Sequence, residues 1–559
     1  MTTTLTEPAS ASGRKGLKGN ALGLVSSTVI GISSVAPAYS LAAALGFVVV
    51  DVGVHAGIIM ILAFIPMFMV AFAYQQLNRE MPDCGSTFTW GTKAFGPRAG
   101  WMGGWAIVAA DVIVMANLGA IAGQYMFQLF GFNGAASSPV WQTVAGVAWI
   151  VAMCAICYAG IEISARIQYA LLAIEVVMLL IFSVTALVSV GQGHAPAGHL
   201  AVRASWFNPF AVGSFGSLSA GLLLAIFIYW GWDTAVSLNE ETKDSGAIPG
   251  KAAVLSTLIL LVTYVVVTVA ATSYAGVGTK GLGLANSHNS GDVLSVLGTS
   301  VFGAHGFGFV LAKLLVLMVL SSSAASTLTT IMPTARTTLS MAAYRAIPER
   351  FATIQRRFLT PSWSTVGMGI VSIAFYVVME AVSSNVLADS ISSLGLMIAF
   401  YYGETGIACA WYYRRVLTRS GRDLLLKGIF PLVGGLILFG FFGYGLYYDF
   451  QPGNSFSVWH IFGTKVGGVF VTGVGALVLG VILMEVYRRI NPPFFRGLTL
   501  NADTPILVPE VDAAALAGVL AREGLSPSDS LISPDSLIPP DSSGPREAPP
   551  AAAGLAQED

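Results

Sequence analysis

The chain has 559 residues, 55% of them hydrophobic and only 10% charged, with a formal net charge of −1 and a mean hydropathy of +0.73. Soluble domains carry roughly 25% charged residues, so water cannot be the solvent for most of this surface, and lipid must replace it. The balanced charge excludes the bulk basic field that binds nucleic acid.

In chain order, residues 1–19 are small and polar, with Arg14, Lys15 and Lys18, and lack the pattern of a cleaved secretory signal. Apolar runs follow. The stretch 54–74 has no Asp, Glu, Lys or Arg and only His55 as a titratable group, while 254–277 and 428–448 carry no charge. Runs of about 20 such residues read as membrane-spanning helices. Twelve are predicted, at 21–46, 54–76, 99–130, 140–159, 164–190, 211–239, 252–276, 302–342, 363–382, 387–412, 428–448 and 462–487. The fold class is therefore an all-α polytopic membrane protein. The bundle is expected to end near 490. Residues 491–559 are rich in Pro, Ser, Asp and Ala, with an internal echo at 526–543, and read as a mostly disordered tail.

Placing the N-terminus in the cytoplasm leaves only Arg203, Lys280 and Lys465 on the far side and Lys313 inside a span; the remaining Lys and Arg of the 28 fall on the cytoplasmic side. The expectation is a multi-pass plasma-membrane protein with both termini cytoplasmic.

Two spans are interrupted. The first contains Gly31-Ile32-Ser33-Ser34-Val35-Ala36-Pro37 and the sixth contains Phe227-Ile228-Tyr229-Trp230-Gly231-Trp232-Asp233-Thr234. Gly, Ser and Pro loosen a helix, and Asp233 or Thr234 would cap a second half-helix. Gly31 and Gly231 head two five-span units, 1–5 and 6–10, of opposite topology because five is odd. Matched interruptions in inverted halves point to a binding site at the membrane midplane. A broken helix exposes amides at one end and carbonyls at the other, which suit a carboxylate and an ammonium respectively. Taken singly, each break reads as a packing kink.

Three ordered motifs carry a resemblance. They are Tyr74-Gln75-Gln76-Leu77 with Met81-Pro82-Asp83-Cys84-Gly85-Ser86-Thr87-Phe88-Thr89-Trp90, Phe95-Gly96-Pro97 and Gly104-Trp105; Gly231-Trp232-Asp233-Thr234 with Glu240-Glu241-Thr242-Lys243; and Ala335-Arg336 with Ile347-Pro348-Glu349-Arg350 and Thr360-Pro361. Over residues 20–490 the chain resembles the amino acid–polyamine–organocation (APC) permeases. The resemblance implies the LeuT-type fold, a 5+5 inverted repeat with two further C-terminal helices. It implies substrate carboxyl binding at Gly31, Ile32, Ser33, Ser34 and Val35, amino-group binding around Phe227, Ile228, Trp230 and Gly231, a gate at Phe227, and a pocket wall at Met115. Where the family usually reads Gly-Ser-Gly, this chain has Ile-Ser-Ser after Gly31.

Ionisable groups inside the bilayer are costly and so are functional candidates. Asp111 lies about 20 Å along the third span from Arg98, and Glu175 about 16 Å along the fifth from Ser164, at ~1.5 Å per residue. Both are candidates for proton coupling, and both also read as structural acids. In proton-coupled relatives a Lys stands near the Glu175 position. Lys313 and Glu404 read as a structural ion pair, and Glu162 with Arg166 as a surface pair. Ser321, Ser322, Ser323 and Ser326 read as packing residues or as hydroxyls for a sodium site.

The leading expectation is a proton-coupled amino acid transporter working by alternating access, with sodium as the other coupling ion considered. A polyamine or organic-amine carrier or exchanger is the alternative, and a transporter-like nutrient receptor is the reading from a different class. No paired metal ligands, nucleophile elbow or phosphate loop occur in the sequence. Cys154 and Cys157 lie in an apolar span and read as packing residues. No enzyme activity, cofactor or metal is expected.

Overall fold

The computed structural model describes residues 15–506, apart from positions 304 and 383. The echo at 526–543 lies outside the described residues. The chain is helical: α1 (Leu24–Val35), α2 (Pro37–Val52), α3 (Ala56–Glu80), α4 (Thr87–Phe95), α5 (Pro97–Leu129), α6 (Asn133–Ala136), α7 (Pro139–Tyr158), α8 (Ile161–Gly191), α9 (Phe215–Ile228), α10 (Thr234–Ser237), α11 (Ile248–Ala275), α12 (Val293–Phe302), α13 (Gly306–Ala343), α14 (Ser362–Val382), α15 (Ser384–Tyr413), α16 (Gly421–Asp423), α17 (Phe430–Phe450) and α18 (Gly468–Ile490). Two small antiparallel hairpins complete it, β1 (Ile354–Gln355) with β2 (Thr360–Pro361) and β3 (Val458–Ile461) with β4 (Thr464–Gly467).

Among the described residues, nine helical stretches are long and apolar enough to cross a membrane. The chain is a polytopic membrane protein. Its outer faces carry exposed Val, Leu, Ile and Phe on α8, α14, α17 and α18, as lipid contact requires. The inner helices α5 and α13 lie along one another, and α5 also meets α7 and α15. Small residues set these distances. At Gly146 of α7 an added Cβ would sit 2.6 Å from the Gly119 carbonyl oxygen of α5, so any side chain there would push the two helices apart.

Both flanks of the bundle are anchored further out than their polar composition suggests. Lys15 is buried, and Leu22 pairs with Thr242 in an isolated parallel bridge. Beyond α18, Phe494 stacks on Phe88 with ring centroids 5.4 Å apart, Leu500 is buried, and Lys93 donates to the carbonyl oxygens of Asn501 and Thr504. The stretch from 491 to 506, expected to begin a disordered tail, thus packs against α4. The apolar Phe494 and Leu500 are what hold it there.

Two expected ion pairs take other partners. Lys313 donates to the carbonyls of Gln128 and Leu129 at the C-terminal end of α5, where helix carbonyls are left open. Glu404 stays apart from it, buried beside Gly91 and Gly103. Glu162 pairs with Lys18 at 2.8 Å rather than with Arg166.

Candidate functional site

The first break falls at Ala36, which adopts a left-handed conformation (φ 49°, ψ 66°) unusual for a non-glycine residue. Pro37 explains the position. It has no N–H to continue α1 and disfavours helical geometry in the residue before it, yet it is well suited to start α2. On the α1 side the break presents carbonyls. The Ser34 oxygen accepts from Ser326 Oγ (3.2 Å) and the Val35 oxygen from Ser40 Oγ (2.7 Å). On the α2 side it presents amides. Ala38 N–H donates to Glu175 Oε1 (2.6 Å) and Tyr39 N–H to Ser322 Oγ (3.1 Å), while the Ser322 hydroxyl donates to the same Glu175 oxygen (2.7 Å). The Glu175 carboxylate of α8 therefore caps the half-helix α2. Its second oxygen, Oε2, is buried with no hydrogen-bond partner among the described residues.

The second break runs from Tyr229 to Asp233. Gly231 turns the chain with φ 121°, a conformation that favours glycine. It also touches the first break: an added Cβ would lie 2.8 Å from both the carbonyl carbon and oxygen of Ser34. Ser34 Oγ and Thr234 Oγ1 are hydrogen-bonded at 2.8 Å, joining the two breaks directly. The Ile228 carbonyl accepts from Tyr264 OH (2.7 Å) and the Phe227 carbonyl from Trp230 N–H (3.0 Å). Trp230 Nε1 donates to Tyr401 OH. Asp233 makes no capping bond to α10. Instead its carboxylate accepts from Tyr402 OH (2.7 Å) and Tyr401 OH (3.2 Å).

Where the breaks meet, a cavity of about 10 Å³ is lined by Ser34, Asp111, Trp230, Gly231, Asp233 and Thr234, with Ile107, Thr330, Pro333 and Tyr401 completing the wall. That is room for one water molecule. Asp111 accepts a hydrogen bond from Thr334. Two carboxylates thus face one small cavity whose lining contains no Lys, Arg or His. No backbone N–H of α1 faces it as an open donor, because the amides of Ile32, Ser33, Ser34 and Val35 lie within that helix. The amides freed by the break belong to Ala38 and Tyr39, and they are already taken.

Of the residues singled out from the sequence, the structure brings Ser34, Trp230, Gly231 and Asp111 to this cavity. It leaves Ile32, Ser33, Val35, Phe227 and Ile228 in the packing around it. Gly31 faces Ser256 of α11, and Met115 is buried in a separate apolar cluster with Val112, Ile150 and Leu328. Sequence reasoning missed Asp233 and Tyr401 as cavity residues. Asp233 lies inside the second interruption, where an Asp equally suits a helix cap.

The basic end of the bundle is shut by a buried network. Lys15 Nζ donates to Asp83 Oδ2 (2.8 Å) and Glu240 Oε1 (2.6 Å). Asp83 also accepts from the Gly85 amide and from Ser340, Thr89 and Tyr344 hydroxyls at 2.7–2.9 Å. Burial alone would raise the Asp83 carboxyl, but Lys15 and these donors hold it below the usual carboxylate range. Arg336 forms a bidentate pair with Glu241, both contacts 2.9 Å. The segment before α1, the α3–α4 loop, the segment after α10 and the end of α13 are tied together here. Asp83, Cys84 and Glu240 bring three potential metal-ligand atoms within 4.8 Å of one another, but the ammonium of Lys15 fills the space they share.

Comparison with known proteins follows the same lines. A family model described as amino acid permease matches residues 22–474. An uncharacterized transporter of Mycobacterium tuberculosis (strain ATCC 25618 / H37Rv) is 26% identical over 382 residues, which is 68% of this chain and 78% of that protein. A branched-chain amino acid permease of Lactococcus lactis subsp. cremoris is 24% identical over 226 residues, covering 37% of this chain and 46% of its own length. A low-affinity putrescine importer of Escherichia coli (strain K12) is 24% identical over 197 residues, covering 35% and 41%.

Proposed function

The chain belongs to the amino acid permease family, and on that premise we propose that it is a secondary active transporter for a small solute bearing a protonated amine, a basic amino acid or an organic amine. The observation that carries this reading is the pair Asp111 and Asp233 on one cavity with no basic side chain in its lining. Two carboxylates at mid-depth are costly in lipid, and a cationic cargo would offset that cost. A neutral amino acid has its ammonium balanced by its own carboxylate and brings no net charge, whereas a basic amino acid or a diamine brings a net positive one.

The transport cycle follows from the cavity's size. About 10 Å³ holds no amino acid, so the cargo enters only when the breaks separate. Twelve spans arranged as two inverted five-helix units with two appended helices fit the helix order, because the 57-residue stretch Leu24–Glu80 would run ~85 Å as one helix at ~1.5 Å per residue and must turn back. The Arg-rich end faces the cytosol on charge grounds. Protons are the coupling ion. Glu175 is the coupling acid, because its Oε2 is free to take a proton while Oε1 holds the cap of α2. Protonation would weaken the cap and loosen the first break. Trp230 and Tyr401, which line the cavity, take the gating role that the resemblance assigned to Phe227.

The test is uptake into proteoliposomes with competitors. Lysine, ornithine and putrescine should compete and leucine should not. Asp111→Asn and Asp233→Asn should each raise the half-saturation concentration about 30-fold or more, the low end of what losing one partner of a buried charge pair costs (~2–5 kcal/mol). Competition by leucine alone, with both variants unchanged, would overturn the amine reading in favour of a neutral amino acid.

A further inference from the structure

We propose that the arginine-lined cavity between the start of α5 and the end of α18 binds the headgroup of an anionic phospholipid. This cavity stands apart from the central site, and its occupant does not depend on what the cargo is. The cavity has a volume of about 640 Å³ and is lined by Arg98, Arg488, Arg489 and Arg496, with Phe95 and Phe495 among its walls. The four guanidiniums come from three places in the chain: the first turn of α5, the last turn of α18, and the 3-10 turn Phe494–Arg496 beyond it. One carboxylate answers them. Glu485 lies 2.6 Å from Arg488 and 3.5 Å from Arg98. Arg489 and Arg496 have no carboxylate within 4.0 Å among the described residues.

Scattered arginines at a cytosolic rim are ordinary. These converge on a concavity, and the element that delivers Arg496 is pinned. Phe494 is buried and stacked on Phe88, which fixes the turn. A planar guanidinium presents two parallel donors matched to phosphate oxygens, and four in one hollow with only Glu485 to answer them repel each other unless a further anion joins them. The neighbouring surface identifies the kind of anion. Ile482, Val486 and Ile490 of α18 are exposed and lead along the helix to its arginine-bearing end. Acyl chains lying on that surface would bring a phosphate to the level of Arg488 and Arg489. A soluble anion gains nothing from it.

The experiment uses purified full-length protein and two lipids, phosphatidylglycerol and phosphatidylcholine, with lipids retained by the protein counted by native mass spectrometry and thermal unfolding followed in mixed micelles. Wild type should retain phosphatidylglycerol at least tenfold more tightly than phosphatidylcholine and unfold at a higher temperature with it. Arg489→Gln with Arg496→Gln leaves the Glu485 pairs in place and should lose both effects. Arg489→Lys with Arg496→Lys should keep most of the retention. A control removing Arg356, Arg357, Arg414 and Arg415, twice the charge at the same end of the bundle, should behave as wild type. Unchanged retention in the glutamine variant would overturn the proposal. So would equal stabilisation by inorganic phosphate, which would make the hollow a soluble-anion site, and so would phosphatidylglycerol binding that appears only after residues 507–559 are removed, which would make the tail its occupant.

Discussion

Replacing Lys15 by Met tests whether the basic-end network is a gate. Lys15 is shared by Asp83 and Glu240, and all three side chains are almost wholly buried, with Lys15 at 1% side-chain exposure. Without the ammonium, two carboxylate oxygens face each other within 4.8 Å. At an effective dielectric near 20 that repulsion is ~3 kcal/mol, in line with the ~3–5 kcal/mol cost of breaking a buried ion pair. Opening the network to water relieves it, so the open form should gain up to about 100-fold in population, at ~1.4 kcal/mol per tenfold. Cys84 reports on this directly. It is fully buried, and burial, then the Glu240 carboxylate, hold its thiol well above the usual range. In a background with Cys154, Cys157 and Cys409 replaced by Ala, maleimide labelling of Cys84 should accelerate up to about 100-fold in Lys15→Met, and Lys15→Arg should restore slow labelling. Lys15 also lowers the Cys84 pKa. If the network stayed shut without it, labelling would slow, and a slower or unchanged rate would refute the gate.

Glu175→Gln should flatten the pH dependence of uptake while leaving substrate binding measurable by isothermal titration; an unaltered pH profile would remove Glu175 as the coupling acid. Gly231→Ala should destabilise the protein by about 2–4 kcal/mol, since it combines backbone strain with overpacking against Ser34, and thermal unfolding with uptake would show both losses. At the end of the bundle away from Lys15, Asp292 caps α12 and is pushed up to about 6, from 3.8, by burial that the hydrogen bond from Tyr125 only partly offsets. The folded protein therefore holds this proton more tightly than the unfolded chain, and its stability should fall as pH rises from about 4 to about 6. Asp292→Asn should remove that slope from thermal unfolding measured across the interval.

The helix order and the two interruptions were legible because they are local. Long apolar runs mark spans, and Pro37 and Gly231 mark breaks whose causes lie within a residue or two. The side of the break that carries free amides was not legible from residue type. It depends on where α1 ends, and Val35 rather than Gly31 ends it. The partners of charges were illegible for a different reason. Lys15 lies 68 residues from Asp83 and 225 from Glu240, and hydropathy reads the first 19 residues only as polar. Opposite sign alone suggests that Lys313 and Glu404 pair, but the lysine takes the open carbonyls of α5, a partner with no signature in composition. Asp233 shows how one residue type has two readings. A cap and a pocket acid are the same Asp in the sequence, and only the positions of Tyr401 and Tyr402 separate them.

The hydroxyl contact between Ser34 and Thr234 has a mechanical consequence. It fastens the two kinked rods at their weakest points, and Ser326 grips the same residue from α13. A bond of this kind is worth about 1 kcal/mol, enough to favour the closed arrangement and weak enough to tear when the rods part, so a substitution that snaps the rivet should make that parting easier.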